Sequence, residues 1–555
     1  MNQPQSATQY KWLYLFIGLA VMINFSGLFI PIMGPDGALY ALIAKNMVLR
    51  HDYVNLFYHD ADWLDKPHFP FWITALSFNL FGFTTWAYKL PGILFLLMGA
   101  RYTFLFAKTL YNKQVALLSV LILLTAQHII LSDNDVRAEP YLTGLIIAAV
   151  YHLYKAYQNN SFWQLLAGCV FTAFAIMTKG MFALVPVGGA IAGHFIITRE
   201  WKALFNLRWL LAIILIAILI LPELWCLYQQ FDLHPEKVVF GQKGVSGIRF
   251  FFWDSQFGRF FNTGPIKGHG DPTFFVHTAL WAFLPWSLVM FAAVFQYIKK
   301  GSKNVKAHEW FCISGALLTF LLFSASKFQL PHYLNIVFPF FAIVTAQYLY
   351  YIKLQKTRRA VGVTQAIVIV LMLLAVCALQ YFFNPQIFSW VTAISISILF
   401  LLMMVFPYEA DNSIIPKIIY RTAIASFIVN LYLNLSFYPS LMKYQAASEA
   451  AMYIDKNNHN HIPVVVLGDD YVTAFEFYID APVTKIDADG KGELPSKPFI
   501  LYAPVSVVNG LTKKGWVIET LSTYQRYWVS RLKGAFLNKN TRPKELTATE
   551  VVMVN

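Results

Sequence analysis

Few residues in this chain can do chemistry, and they fall in short clusters among aromatic residues and prolines. WLDKPHFPFW (63–72) holds Asp65, Lys66 and His68 between Trp63 and Trp72, with Pro67 and Pro70 limiting the backbone. Lys66 has two readings. It is a lysine snorkelling beside an aromatic belt, or a compact ammonium placed for a phosphate oxygen. GPDGALYALIAKNMVLRHDY (34–53) puts Asp36 just before apolar residues at 39, 42, 43 and 47, the spacing of one helical face. That helix is expected to lie in the membrane surface, apolar side down. Asp36 is then its N-cap, or a carboxylate held at the bilayer edge as base or charge partner. SDNDVRAEP (132–140) carries Asp133, Asp135, Arg137 and Glu139, with Glu139 in the first turn of an apolar run, where a carboxylate suits the helix dipole. MTKGM (177–181) carries Lys179. FGRFFNTGPIKGHGDPTFF (257–275) carries Arg259 between rings and Lys267, His269 and Asp271 in a Gly-rich turn; SASKFQLPHY (324–333) carries Lys327, His332 and Tyr333. Each cluster alone reads as an interfacial loop. Together they point to a cavity that holds an anion.

The elements that must position them are membrane helices. Of 555 residues 57% are hydrophobic and only 13% charged, against roughly 45–50% apolar and about 25% charged in soluble domains. Residues 12–33 run 22 positions without a charge, long enough to cross a bilayer. No A-x-A-like cleavage site follows, so this run reads as a retained first span. About thirteen spans are expected: 12–33, 90–110, 115–132, 139–157, 162–178, 181–198, 207–226, 273–298, 310–325, 331–352, 362–383, 387–406 and 418–438. Short basic connections alternate with the motif-bearing ones. They carry Lys108 and Lys113; Arg199, Lys202 and Arg208; Lys299, Lys300, Lys303 and Lys306; Lys353, Lys356, Arg358 and Arg359; Lys417 and Arg421. Positive loops stay in the cytoplasm. The N-terminus is then cytoplasmic, and every cluster named above falls on the outer face, in large loops 34–89 and 227–272 and in shorter turns.

The net charge of +14 is accounted for by this topology rather than by nucleic acid. The four cysteines, Cys169, Cys226, Cys312 and Cys377, lie in or beside apolar runs with no zinc-like spacing. No G-x-G-x-x-G after a strand and no Walker loop is present. Residues 1–438 read as the membrane domain and 439–555 as a C-terminal α/β domain outside the membrane. In the latter, 461–487 reads as strand, helix, strand, and 498–508 and 515–521 as further strands.

The order PDGALYALIAKNM, WLDKPHFPFWITALSFNLFG, KLPGILF resembles the start of the GT-C glycosyltransferases that use polyprenyl-phosphate sugars, most of all the aminoarabinose-transferase and bacterial protein-mannosyltransferase-like branch. Asp36 matches that family's first carboxylate and Lys66-Pro67 its Lys-Pro. Glu139 falls where a second carboxylate is expected. TKG (178–180), GHGDPTFFVHTALWAFLPW (268–286) and SKFQLPHY (326–333) continue the match over roughly residues 10–350. Gly37 stands where Glu is usual, Leu39 where Arg is frequent, His68 replaces a proline, and Trp63 stands where a Tyr is frequent.

The resemblance implies a mainly α polytopic GT-C protein of a bacterial inner membrane, with its C-terminal domain in the periplasm. It implies transfer of a sugar from undecaprenyl phosphate, with inversion, to an envelope acceptor such as lipid A or another glycolipid. Asp36 and Glu139 would be catalytic, and Lys66, Arg259, Lys179 and Lys327 would hold the donor phosphate. Tyr40, Trp63, His68, His269, His332 and Tyr333 would line the substrate site. No cofactor is required by the motifs, and a divalent metal is left open. Partners are the donor, a lipid or protein acceptor and membrane lipids, without nucleic acid. The alternative within the class is a protein O-glycosyltransferase. Outside it stands a transporter or flippase, which would put ionisable groups near the midplane on broken helices, or an envelope scaffold, which needs no ordered motifs.

Overall fold

A computed structural model describes residues 7–301, 309–405, 414–467, 472–486 and 493–555. Lys303 and Lys306, among the expected basic-loop residues, lie outside this set.

The chain is mainly helical. Seven described helices are long and apolar enough to cross a membrane, or eight if the bent pair Lys113–Leu124 and Gln127–Asn134 is one span. Shorter apolar helices accompany them, among them Tyr10–Phe25, Ser287–Lys299, Trp310–Ala325 and Trp390–Val405. Apolar runs that read as single spans are divided where the backbone turns. The 115–132 run bends by 53° between its two helices, and the 273–298 run stops at Ala282 and resumes at Ser287, with Pro285 between.

Close packing sets the relation of the first loop to the helix that carries Glu139. A Cβ on Gly144 would lie 2.2 Å from Phe95 O, and one on Gly99 would lie 3.0 Å from Gly144 Cα. These two glycines let the Thr85–Leu110 and Ala138–Asn159 helices touch backbone to backbone, the small-residue contact that membrane helices use in place of a hydrophobic drive.

The first loop folds into the Asp36–Leu49 helix, a short hairpin pairing Phe57–Tyr58 with Ala61–Asp62, and the Phe69–Phe81 helix. Two expectations are corrected. The Asp36–Leu49 helix does not lie free in the membrane surface. Residues on every side of it are buried, including Tyr40, Ala41 and Lys45, because the C-terminal unit covers the side turned away from the other helices. Nor is Asp36 the N-cap. Pro35 occupies the cap without a side-chain bond, and Asp36 is the first helical residue.

His68 anchors this loop. It is wholly buried, and its Nδ1 lies 3.0 Å from Glu223 Oε1 while its backbone N–H donates to Glu223 Oε2, also at 3.0 Å. Its Nε2 faces Val54 O at 2.9 Å. Removing one member of a buried, hydrogen-bonded pair strands the other. Glu223→Leu is therefore expected to cost about 3–5 kcal/mol, measured as a lowered unfolding temperature in detergent. A wild-type melting curve would refute the anchoring role.

The C-terminal unit is a five-stranded mixed sheet in the order Val483–Ile486, Val464–Leu467, Phe499–Pro504, Thr547–Val554, Ile518–Arg526. The first three strands are parallel to each other, and the last two pair antiparallel. The strand, helix, strand pattern of 461–487 is present as Val464–Leu467, Val472–Tyr478 and Val483–Ile486. The expected strand at 498–508 ends at Pro504. Val505–Lys513 is a helix, in which Val505, Val508 and Leu511 recur at helical spacing once Pro504 turns the chain.

This unit grips the segment leading to Asp36. Gln445 is buried, accepts from Gly34 N–H at 2.9 Å and donates to Ile32 O at 3.0 Å. The Tyr478 hydroxyl accepts from Ile32 N–H at 2.7 Å. Lys45 Nζ donates to the carbonyls of Phe477 and Ile479 at 3.1 and 2.7 Å, a cation at a helix C-terminus.

Candidate functional site

Three charged groups converge where the first loop, the 138–159 and 162–179 helices and the second loop meet. In the first, Asp65 accepts from Lys66 at 2.7 Å and from Arg259. Burial pushes the Asp65 carboxyl up, but Lys66 and then Arg259 outweigh it and hold the group down at about 2. Asp65 therefore stays ionised and keeps two cations, from loops almost two hundred residues apart, side by side. Arg259 also lies over the Phe328 ring at 5.5 Å.

In the second group Glu139, in the first turn of its helix, receives Lys179 and lies 3.8 Å from His332 Nε2. Lys179 sits 3.6 Å over the Tyr333 ring. It closes its helix at Gly180, whose φ of 93° places it where glycine is favoured. A Cβ there would meet Gln256 Nε2 at 2.2 Å, so the turn leaves room for the second loop.

In the third group Arg137 donates to Asp36 Oδ2 at 2.6 Å and, through Nε and Nη2, to Asp135 Oδ2 at 3.0 and 2.7 Å. Burial opposes the Arg137 charge, but Asp135 and Asp36 more than restore it and raise its pKa above the usual arginine range. This explains Gly37. A Cβ at 37 would stand 3.0 Å from Asp135 Oδ1 and 3.3 Å from the Ile32 side chain, so a Glu here would crowd the Arg137 clamp.

A cavity of about 750 Å³, counted with its open mouth, lies against the first two groups; Asp36, Arg137 and Glu139 do not line it. Lys66, Lys179 and Arg259 face it against one carboxylate, Asp65, and its other walls include Phe182, Phe260, Phe323 and Phe328. Three cations against one carboxylate in a cavity otherwise lined by apolar and aromatic side chains suit an anion attached to a hydrocarbon chain.

The structure places the remaining expected residues unevenly. Tyr333 lines the cavity, and His332 stands behind it against Glu139. Tyr40 is buried, tilted against Phe71 at 5.3 Å. Burial, then the charges of Glu139, Asp65 and Asp36, push its phenol well above the ordinary value, which places it within electrostatic reach of all three carboxylates. Trp63 packs edge-on against Phe71 at 5.5 Å. His68 is spent on Glu223 and Val54 and is absent from the cavity wall, which corrects its expected place at the substrate. Lys327 and His269 are exposed and do not line the cavity either. Lys327 contributes its backbone N–H to Phe260 O at 3.1 Å. A long side chain on a turn points to water unless a partner holds it.

Sequence reasoning named Asp65 without giving it a role and passed over Glu223. Asp65 had a signal, as a carboxylate directly before the lysine of interest. Glu223 had one too, as an acid in the otherwise uncharged run after Arg208.

The solved structure of ArnT from Cupriavidus metallidurans bound to undecaprenyl phosphate superposes over 98% of this chain and 98% of its own, with a TM-score of 0.74 at 16% identity. The chain has the GT-C glycosyltransferase fold. The same protein in its apo state superposes over 98% of both chains with a TM-score of 0.70. Within the GT-C fold, residues 65–225 match the family described as dolichyl-phosphate-mannose-protein mannosyltransferase. An uncharacterized protein of Aquifex aeolicus is 24% identical over 68% of this chain and 71% of its own length. The undecaprenyl phosphate-alpha-4-amino-4-deoxy-L-arabinose arabinosyl transferase of Edwardsiella ictaluri is 26% identical over 57% of this chain and 55% of its own. The chain thus matches a little over half the length of the named transferases.

Lys66 lies in a loop, so the direction of its pKa shift has a consequence for binding. Burial lowers it from the ordinary 10.5, with Asp65 opposing in part. The cation is lost at a lower pH than for a free lysine. The Kd for an anion in this cavity is therefore expected to rise with pH before 10.5 is reached. Lys66→Arg, which does not titrate in that range, should flatten the rise. Identical pH profiles for the two proteins would exclude Lys66 from anion binding.

Proposed function

We propose that this protein is a membrane glycosyltransferase that takes a sugar from a polyprenyl phosphate and gives it to an envelope acceptor, with lipid A or another glycolipid as the first candidate. The observation that carries this reading is the cavity lined by Lys66, Lys179 and Arg259 together with the rings of Phe182, Phe260, Phe323 and Phe328. The fold shared with a structure bound to undecaprenyl phosphate supports it.

The reaction breaks the bond between the anomeric carbon and the lipid phosphate oxygen and forms one from that carbon to the acceptor oxygen, with inversion. The departing phosphate gains charge, and Arg259, Lys66 and Lys179 stabilise it where it forms. Asp36, half-exposed and oriented by Arg137 through Oδ2, turns Oδ1 to the acceptor and, where that acceptor is a hydroxyl, takes its proton. Glu139 holds Lys179 in place. Among the described residues no three His, Cys, Asp or Glu side chains converge as metal ligands, and each site carboxylate already faces a cation, so no step is assigned to a metal.

Thirteen crossings are proposed, with the N-terminus in the cytoplasm and the site and C-terminal unit in the periplasm. The helix ends away from the site support this, since they carry Lys108, Arg199, Lys202, Lys353 and Arg358. Protein acceptors remain the second reading, favoured by the family match over 65–225.

The deciding experiment is mass spectrometry of envelope glycolipids and glycoproteins with and without the protein. The expected result is one sugar missing from a glycolipid. Loss confined to glycoproteins would shift the assignment to a protein acceptor, and unchanged glycans would remove it.

A further inference from the structure

A second concentration of cations lies in the C-terminal unit, outside the transfer site. Between residues 526 and 547 the chain carries Arg526, Arg531, Lys533, Lys539, Arg542 and Lys544, against Glu545 as the one carboxylate. Arg526, Trp528, Arg531 and Lys533 line an open cleft together with Tyr527 and Glu545, about 820 Å³ with its mouth.

The cleft is built rather than a chance grouping of surface lysines. Tyr527 is buried and stacked on Phe536, with ring centres 3.7 Å apart and planes within 8°. Its hydroxyl donates to Arg531 O at 3.0 Å and accepts from Lys533 N–H at 3.1 Å. One phenol therefore closes the backbone of 527–533 and presents Arg531 and Lys533, both exposed, from the same turn. The Arg531 guanidinium lies over the Trp528 ring at 5.2 Å. Arg542 is not available to a ligand. It is buried, donates to Phe536 O and to the Tyr444 hydroxyl at 3.0 and 3.1 Å, and stacks over Phe383 at 4.3 Å. Its role is to fix this loop to the end of the Gln355–Phe382 helix. Lys539 does the same, its N–H donating to Phe382 O at 2.8 Å.

That anchorage sets the depth of the cleft. The Gln355–Phe382 helix is an apolar span, and Tyr381 and Phe382 at its end are exposed, as aromatic residues are at the edge of a bilayer. Leu532, between the two presented cations, is exposed as well. Cations with an indole and an exposed leucine, at the end of a membrane helix, match a phosphate that sits above hydrocarbon. A soluble phosphate compound would gain nothing from Leu532 or from the helix end.

We infer that this cleft binds the phosphate of an anionic lipid headgroup, with Arg531 and Lys533 as its ligands. The inference stands apart from the proposed transfer reaction, since it concerns a different face and needs no turnover. Headgroup binding here seats the C-terminal unit on the membrane surface, and with it Gln445 and Tyr478, which hold the segment before Asp36.

The test uses the full chain in phosphatidylcholine nanodiscs containing phosphatidylglycerol with a photoreactive headgroup. Crosslinks are mapped by mass spectrometry. Labelling is expected within 526–547. Arg531→Gln with Lys533→Gln should reduce it about 10- to 30-fold, on the basis of roughly a fivefold contribution per cation near an anionic surface. Both side chains are exposed, so the unfolding temperature should not change. Each single variant should give an intermediate loss. Equal labelling in the double variant, or labelling absent from 526–547, overturns the inference. Displacement by inorganic phosphate as readily as by short-chain phosphatidylglycerol overturns the lipid assignment, because the cleft would then read free phosphate.

Discussion

Asp36→Asn is expected to lower kcat for sugar transfer by about 10²- to 10⁴-fold while leaving donor KM within a few-fold of wild type. The change keeps the shape of the side chain and one acceptor oxygen for Arg137. It removes the charge that orients the acceptor and the base that receives its proton. In the proposed reaction the donor phosphate is held elsewhere, by the cavity residues Lys66, Lys179 and Arg259, so its affinity should survive. The size of the loss discriminates between acceptors. A hydroxyl acceptor needs a base throughout the step, and the loss should approach the upper figure. A phosphate acceptor is already ionised at neutral pH, and the loss should fall near the lower one. The measurement is turnover with purified protein in detergent and a polyprenyl-phosphate sugar. Wild-type turnover would remove Asp36 from the reaction. The Glu139→Gln protein is the control, because it should disturb Lys179 and so raise donor KM together with its effect on kcat.

Arg259→Ala is expected to produce the second large effect, with kcat lowered about 10²- to 10³-fold and donor KM raised as well. Two losses combine. The guanidinium no longer meets the charge that develops on the leaving phosphate. Asp65, which divides its oxygens between Lys66 and Arg259, turns wholly to Lys66 and competes with the phosphate for it. This coupling gives the prediction its specific form. Asp65→Asn added to Arg259→Ala should restore part of the donor affinity, a non-additivity expected of residues in one charge network. Strict additivity of the two changes would show that Asp65 does not govern Lys66. Arg259→Lys should recover less than its charge suggests, since a lysine cannot serve the carboxylate and a phosphate with a planar fork.

The reading of this site from sequence was uneven for physical reasons. Lys66, Lys179 and Arg259, which line the cavity, and Glu139, which pairs with Lys179, stood out in the sequence because a charge beside a long apolar run is costly and therefore conspicuous. Tyr333 came with them through its short turn. Lys327 and His269 bore the same signal, yet both point to solvent, since composition cannot say which side of a turn faces the cavity. His68 misled for the opposite reason. A histidine in a conspicuous motif is a natural ligand, but its partner, Glu223, lies 155 residues away and appears only when the first loop packs on the 221–227 helix. In the C-terminal unit continuous apolar runs located strands at 464–467 and 499–504, while the helix at 505–513 was hidden behind a β-branched run.

The sequence by itself determined that the chain lives in a membrane, that its long loops share one face, and that cations gather there. These follow from local facts: the cost of a charge in hydrocarbon, and the length of an apolar run. Only the tertiary structure decided which charges meet. Lys66 and Arg259 share Asp65, Arg137 holds Asp36, and Lys179 leans on Glu139, over separations that no local rule encodes. WLDKPHFPFW carries its lysine into the cavity and its histidine away from it because a buried glutamate claims the histidine and an ionised aspartate claims the lysine. That choice belongs to the packing of distant helices, and it is made by the pairing of charges that burial leaves no water to satisfy.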